Sequence, residues 1–179
     1  MLTARSVLRE LEACGVSCVA GLPDNSSAGL IAVLRGENSV RFVEVTREGE
    51  AFGVASGFWI GGGQAAVLIQ NTGLLESGDA LRGTAQRMRV PLLCLVTYRG
   101  YGKIPREAGL SGPESWDAGM FSQAAVDSAA LVTEPTLRAW GVPFETLGSD
   151  AELPKIRQAF ARAQKESRPV ALLVTANMV

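Results

Sequence analysis

The first residue that could do chemistry is Glu48, which lies where an apolar strand runs into a helix. Residues 40–45 predict the strand, and small and apolar side chains then recur at helical spacing. The helix dipole favours a carboxylate in the first turn, which by itself would explain Glu48 structurally. Gly53 and Gly57 weaken the helix, as is typical where another backbone packs very close. The stretch therefore combines an acidic group with a surface suited to tight packing.

The chain contains no histidine, and this removes several kinds of catalytic site. A Ser-His-Asp triad, a Cys-His pair and a histidine general base all need an imidazole, so this chain alone cannot build them. A zinc site would require an unusual ligand set. Acid–base chemistry would have to use a carboxylate, lysine, tyrosine, a bound cofactor or a second polypeptide.

Strands and helices alternate along the chain, which predicts an α/β fold with a mostly parallel, six-stranded sheet and helices on both faces. We expect a long irregular segment at 100–113, which is typical of a functional or mobile loop. We expect a further loop at 71–78. The predicted strands are 16–20, 40–45, 65–70, 92–97, 142–146 and 170–175. The predicted helices are 6–14, 27–35, one that starts after the possible N-cap Thr46 and ends before Gly61, 79–88, 114–128, 135–140 and 151–166.

Polar residues follow four of the predicted strands directly. Pro23 and Asp24 follow the first strand, Glu48 the second, Asn71 the third and Arg99 the fourth. In open parallel sheets, sites form at the carboxyl ends of the strands. We therefore expect these four stretches to converge on one edge of the sheet.

Composition limits the class of protein. The chain has 179 residues, 47% hydrophobic and 20% charged, with a net charge of −1, which is ordinary for one globular domain spanning 1–179. No basic cluster or motif indicates nucleic acid. No apolar run approaches the roughly 20 residues of a membrane span, and no signal-peptide pattern opens the chain. We expect a cytoplasmic protein without nucleic-acid or membrane partners.

The chain has an odd number of cysteines: Cys14, Cys18 and Cys94. Without secretory features this argues against a disulfide framework. We expect all three to be small buried apolar residues.

The motifs together resemble a known family. Glu48 is followed by Ala51, by a small apolar pair and by Gly57-Phe58. Together with three other motifs in the same order along the chain, this pattern resembles the pyrimidine-binding domain of thiamin-diphosphate enzymes. The three motifs are Gly-Leu-Pro-Asp at 21–24, Gln-Asn-Thr-Gly-Leu at 70–74 and Tyr-Arg-Gly at 98–100. In particular it is similar to the alpha subunit of the sulfopyruvate and phosphonopyruvate decarboxylases. The resemblance covers nearly the whole chain.

The resemblance implies roles for particular residues. Glu48 would bind the aminopyrimidine ring nitrogen of thiamin diphosphate and activate the cofactor, whereas Glu50 would point elsewhere. The other cofactor-binding positions would be Pro23, Asp24, Asn71, Thr72, Gly73 and Leu74. The substrate, an anionic 2-keto acid, would meet Asn71, Arg99, Lys103 and Arg106, since arginine suits multi-oxygen anions. The alternative interpretations are polar turns, a helix cap and solvated loop charges.

The magnesium-binding half of such enzymes is missing from this sequence. The family holds the diphosphate through Mg²⁺ with a Gly-Asp-Gly motif, and Gly78-Asp79-Ala80 is the nearest match. The resemblance therefore implies no metal ligand in this chain, a diphosphate-binding beta subunit that supplies the metal site, and a hetero-oligomer. The small residues Gly49, Gly53, Ser56 and Gly57 are predicted as a docking surface.

Two alternatives stay open. The chain could serve another 2-keto acid or a carboligation, because the segment 101–116 departs from the family pattern. It could also be a non-catalytic α/β partner or regulatory module, although such a module has no stated need for Glu48.

Overall fold

A computed structural model describes residues 1–104 and 116–179. Its centre is one six-stranded sheet in which every neighbouring pair of strands is parallel. The strand order is β2-β1-β3-β4-β6-β5, so β2 and β5 are the edge strands, and β6 returns to lie between β4 and β5. The strands are β1 (Cys18–Gly21), β2 (Arg41–Glu44), β3 (Ala65–Gln70), β4 (Leu93–Thr97), β5 (Phe144–Leu147) and β6 (Val170–Val174).

In the described parts of the chain, seven α-helical segments connect and cover the strands, and a π-helix, Leu81–Gln86, continues directly from the fifth. Short 3₁₀ turns lie at Tyr101–Lys103, Met120–Ser122 and Asp150–Glu152. The helices are α1 (Ala4–Ala13), α2 (Ala28–Gly36), α3 (Glu48–Ile60), α4 (Asn71–Glu76), α5 (Gly78–Ala80), α6 (Ser128–Ala139) and α7 (Pro154–Glu166).

Both faces of the central strands are buried, which explains why β3, β4 and β6 are apolar apart from Gln70 and Thr97 at their carboxyl ends. One face packs against α1, α2 and α7 in a core that includes Leu8, Leu30 and Ile156. The other packs against α3, α6 and the π-helix in a core that includes Phe52 and Leu137. The predicted α/β fold with helices on both faces is confirmed.

The four strands that the polar motifs follow end at nearly the same level of the sheet. Gly21 pairs with Glu44 on β2 and with Leu68 on β3, and Gln70 pairs with Thr97 on β4. This register places the segments after β1, β2, β3 and β4 along one edge, as the order of the motifs predicted.

The predicted loop at 71–78 is wrong. A helix, α4, begins at Asn71 directly after β3 and continues to Glu76, with Gln70 in extended conformation before it. Asn71 is buried, and its side chain donates hydrogen bonds to the Arg99 carbonyl just after β4 and to Thr133 in α6. The chain therefore turns inwards under the neighbouring helix instead of forming a polar surface turn.

The predicted helix at 114–128 is wrong over its described part, because residues 116–126 form turns and the 3₁₀ segment Met120–Ser122. Residues 114 and 115, and most of the irregular segment expected at 100–113, lie outside the described residues. The helix predicted at 135–140 is the second half of a longer helix, α6, which runs from Ser128 to Ala139 through Pro135. Asp127 caps it by accepting from the Ala130 N–H. Local periodicity placed the helix start too early because this cap decides where the helix begins.

The cysteines are unpaired. Cys18 and Cys94 are buried, as expected, but Cys14 is only partly buried, because it follows the last residue of α1 near the surface. No helix among the described residues has the length and apolar character needed to cross a membrane.

Candidate active site

Glu48 is the first residue of α3 and lies against α4. A β-carbon added to Gly73 would come closer than 3.0 Å to Cγ, Cδ and Oε1 of Glu48, so glycine at this position leaves the space that the Glu48 side chain occupies. Glu48 is partly buried and accepts no hydrogen bond from any residue that the structure describes. The family motifs at 48 and at 70–74 therefore meet at one point, with the carboxylate left available to a ligand.

Glu50, two residues later, accepts hydrogen bonds from the residues just before α3. Its carboxylate accepts from the Thr46 N–H at 2.9 Å, the Thr46 hydroxyl at 3.0 Å and the Arg47 N–H at 3.3 Å. These backbone and hydroxyl donors hold the pKa of Glu50 below its ordinary value. Glu50 thus stabilises the start of α3.

Asn71 is fully buried and joins three elements. Its Nδ2 donates to the Arg99 carbonyl at 3.1 Å and to the Thr133 hydroxyl at 3.2 Å. Its Oδ1 is buried and has no hydrogen-bond partner among the described residues, which is costly unless a ligand supplies a donor. Asn71 therefore anchors the strand ends and leaves one acceptor atom free.

The neighbours of Asn71 differ in accessibility. The Thr72 hydroxyl donates to Gln70 Oε1 at 2.7 Å and is partly buried. Leu74 is fully buried in the core beneath α3. Gly73 offers its backbone and the space that Glu48 fills. Within this motif, Thr72 is thus better placed to meet a ligand directly than the buried Gly73 and Leu74.

Asp24 is engaged in holding the strand ends together. Its Oδ1 accepts from the Ser26 N–H at 2.7 Å and its Oδ2 from the Ser27 and Thr97 hydroxyls at 2.8 and 2.9 Å. The carboxylate thereby stabilises the start of α2 and ties the end of β1 to the end of β4. Pro23 is exposed at the mouth of a cavity of about 300 Å³ against α2.

Arg99 follows β4 and projects into solvent. Its Nε donates to Asp127 Oδ2 at 3.2 Å, and its side chain is 58% exposed. Lys103 is exposed in the 3₁₀ turn, and Arg106 lies outside the described residues. A hydrogen bond from Asn71 thus connects Arg99 to the 70–74 motif. Among the described residues, no hydrogen bond or ion pair joins Lys103 to Asn71 or Arg99.

The concave surface at the carboxyl end of α4, away from Asn71 at its start, is acidic. A cavity of about 360 Å³ there is lined by side chains that include Glu50, Glu76 and Asp79, with Arg47 paired to Glu76. Such a surface repels an anion. An anionic substrate group would therefore be better placed on the Arg99 side of α4.

Three residues in these networks were not indicated by the motifs: Thr97, Asp127 and Thr133. Asp127 precedes Ser-Ala-Ala, an N-cap pattern that could have identified its structural role. No local pattern indicates that its second oxygen meets Arg99, which is 28 residues away.

Comparison with known proteins assigns this architecture to a class. The family model described as the N-terminal TPP binding domain of thiamine pyrophosphate enzymes matches residues 1–130. The chain belongs to this family, whose cofactor, thiamine pyrophosphate, is the thiamin diphosphate named above. The resemblance drawn from the motifs is confirmed.

The similar proteins include decarboxylases. Phosphonopyruvate decarboxylase of Streptomyces hygroscopicus is 36% identical over 100 residues, which are 56% of this chain and 25% of that protein. Sulfopyruvate decarboxylase subunit alpha of Methanothermobacter thermautotrophicus is 27% identical over 150 residues, 84% of this chain and 81% of that subunit. The matched part thus spans a quarter of the Streptomyces protein but most of the separate subunit.

A solved structure confirms the fold independently. Benzoylformate decarboxylase from Polynucleobacter necessarius superposes with a TM-score of 0.66 over 98% of this chain and 30% of that one, at 18% identity. At this identity the likeness concerns the fold alone.

The residues at the edge of the sheet fit the cofactor of the family. An aminopyrimidine ring offers donors and acceptors. The site presents the Glu48 carboxylate, which accepts no hydrogen bond from the described residues, and the buried Asn71 Oδ1, which has no hydrogen-bond partner among them. Gly73 keeps the surface beside Glu48 free of a side chain. Among the described residues no group of histidine, cysteine, aspartate and glutamate side chains could hold a metal ion.

Proposed function

We propose that this chain is the pyrimidine-binding alpha subunit of a thiamin-diphosphate-dependent decarboxylase. Its substrate is sulfopyruvate or phosphonopyruvate, which it converts to the aldehyde and CO₂. The observation that supports this best is Glu48, held against Gly73 with no hydrogen-bond partner in the described part of the chain. The names of the similar proteins support the choice of substrate.

The site residues of this chain have separate roles in the proposed reaction. Glu48 shares a proton with the aminopyrimidine ring nitrogen and so activates the cofactor. Asn71, Thr72 and Gly73 shape the surface beside the ring, and Leu74 supports it from the core. Pro23 and Asp24 define the adjoining turn. Bound thiamin diphosphate supplies the nucleophilic carbon and the electron sink for loss of CO₂.

The anionic end of the substrate binds on the Arg99 side of α4. Arg99 offers a guanidinium to the sulfonate or phosphonate, and Asn71 lies directly beneath its backbone. Lys103 and Arg106 add positive charge on the segment after β4. The acidic surface across α4 directs the anion towards this side.

A second subunit completes the site. We propose a diphosphate-binding beta subunit that contributes the Gly-Asp-Gly motif and Mg²⁺, in a hetero-oligomer. Two observations support this: no Gly-Asp-Gly occurs in the sequence, and most of a protein named subunit alpha is matched. We place the complex in the cytoplasm, since three unpaired cysteines suit a reducing compartment.

The predicted docking surface needs correction. Gly53 and Gly57 are exposed, with nothing within 4 Å of an added β-carbon, and Ile60 beside them is 62% exposed. Ser56 is instead buried, and Gly49 faces Ser77 and Ala80. The partner surface in our proposal is therefore the Gly53–Gly57–Ile60 side of α3, in a chain that forms one pyrimidine-binding domain.

Release of CO₂ from sulfopyruvate and phosphonopyruvate tests the proposal. The assay contains thiamin diphosphate, Mg²⁺ and this chain, with and without its Gly-Asp-Gly partner. Glu48→Gln should lower kcat by about 100-fold or more, while Glu145→Gln, at the opposite edge of the sheet, should have no effect. Cofactor binding to both variants is measured by calorimetry.

Each outcome has a defined meaning. Turnover that needs both chains and is lost in Glu48→Gln supports the proposal and identifies the substrate. Undiminished turnover in Glu48→Gln contradicts the role of Glu48. A complex that binds the cofactor but releases no CO₂ from either acid indicates another 2-keto acid or carboligation, and failure to bind a partner indicates a non-catalytic module.

A further inference from the structure

The Arg99 side chain is held by a carboxylate that none of the motifs include. Asp127 Oδ2 accepts from Arg99 Nε at 3.2 Å, and Asp127 Oδ1 accepts from the Ala130 N–H at 3.1 Å. The Asp127 side chain is only 12% exposed, whereas that of Arg99 is 58% exposed. A mostly buried acid at the start of a 12-residue helix thus reaches out to a largely exposed base.

The backbone of Arg99 is fixed as well. Its carbonyl accepts from Asn71 Nδ2 at 3.1 Å. Gly100, the next residue, has a φ of +79°, and a β-carbon there would come closer than 3.0 Å to Asp127. This glycine is therefore required both for the turn and for the close approach of Asp127 to the chain after β4.

Among the described residues, no hydrogen bond or ion pair occupies the Nη edge of the Arg99 guanidinium. With Nε bound to Asp127, the two Nη atoms make no hydrogen bond within the described residues. This edge can donate two parallel hydrogen bonds to two oxygens of a sulfonate or phosphonate. A lysine in the same position could not be fixed by one group while presenting two donors in a plane.

We infer that Asp127 is a positioning residue for anion binding: by holding Arg99 at Nε, it presents the Nη edge to the sulfonate or phosphonate of the substrate. This inference rests on the proposed function, since it concerns the same site. It adds a residue from α6 to a site whose other groups follow the strands. Asp127 acts through Arg99 and touches no reacting atom.

Binding of sulfoacetate, a non-reacting dianion, tests the inference independently of turnover. Calorimetry on the complex with the partner subunit compares the wild type with Asp127→Asn, which keeps an acceptor for the Ala130 N–H but turns a donor towards Arg99. The Kd should rise about tenfold, the size expected on losing a charge-assisted hydrogen bond. Acetate binding should not change. Glu134→Gln, which removes a carboxylate paired with Arg138 on the same helix, is the matched control.

The double variant separates positioning from a general structural effect. In an Arg99→Ala background, Asp127→Asn should weaken sulfoacetate binding no further. In kinetics on sulfopyruvate, Asp127→Asn should raise KM about tenfold with kcat changed less than threefold. NMR of the arginine side chains should show slow exchange of the Arg99 Hε proton in the wild type and in Glu134→Gln, and fast exchange in Asp127→Asn.

The results distinguish this inference from the proposed function. If sulfoacetate binding depends on Asp127 but neither keto acid is decarboxylated, the proposed reaction is wrong and the positioning role stands. If sulfopyruvate is decarboxylated but Asp127→Asn leaves Kd, KM and the Arg99 Hε exchange unchanged, the positioning role is wrong. Additive effects of the two substitutions, or no binding of sulfoacetate to the wild type, also overturn it.

Discussion

Glu48 lies against Gly73 so closely that a β-carbon at residue 73 would overlap its carboxylate. The two residues come from motifs that follow different strands, β2 and β3. Their contact brings the proposed activating acid to the first turn of α4, where Asn71 connects to Arg99. The site is thus built around the start of one short helix.

Gly73→Ala should impair the proposed reaction without unfolding the protein. The new methyl group displaces the flexible end of Glu48, and a misplacement of about 1 Å can cost about 100-fold in rate. Alanine is the better helix former, so the melting temperature should not fall. Steady-state kinetics and thermal unfolding check this, with Gly36→Ala, which meets nothing within 4 Å, as the control. A fully active Gly73→Ala would contradict the assigned position of Glu48.

Asn71→Ala should destabilise the fold by about 1–3 kcal/mol, because the Arg99 carbonyl and the Thr133 hydroxyl lose a buried donor. Thr133→Val removes only one end of this network and should cost about 0.5–1.5 kcal/mol. Urea unfolding of both variants and of the double variant measures the coupling. The double variant should lose less than the sum, whereas strict additivity would mean that the two side chains act independently.

The contribution of Glu50 to stability should depend on pH. Hydrogen bonds from Thr46 and Arg47 lower its pKa in the folded state, so the contribution is fully present above the unfolded pKa of roughly 4.3 and is lost as the pH falls through the lower folded value. Glu50→Gln should therefore lower the melting temperature at pH 7 but much less at pH 3. Thermal unfolding across this range measures the difference, and a constant difference would contradict this linkage.

The three cysteines should react with a thiol reagent in two stages. Cys14 is partly buried and should be modified first in the native protein. Cys94 is buried, and burial raises its pKa to about 12, so little thiolate forms. Cys18 is buried as well, and its pKa is also raised by burial. Titration should give one reactive thiol before denaturation and three after it, and Cys14→Ser should abolish the native reaction.

The sheet could be predicted from the sequence because the pattern of apolar residues that indicates strands and helices is local. Continuous apolar runs such as those in β3 and β4, separated by amphipathic helices, indicate a parallel sheet covered on both faces. The same order placed the four polar stretches at one edge. The start of α6 was missed because the cap at Asp127 outweighs the amphipathic pattern before it.

The sequence by itself determined the family, the α/β sheet and the presence of Glu48 at a strand end, since each depends on residue types at short spacing. Three hydrogen bonds were decided by the tertiary structure alone. The Asp24 carboxylate accepts from the Thr97 hydroxyl, the Asn71 amide donates to the Arg99 carbonyl, and the Asp127 carboxylate accepts from Arg99 Nε. These contacts join residues 28 to 73 positions apart. They arise only when the strands are in register and the helices have packed.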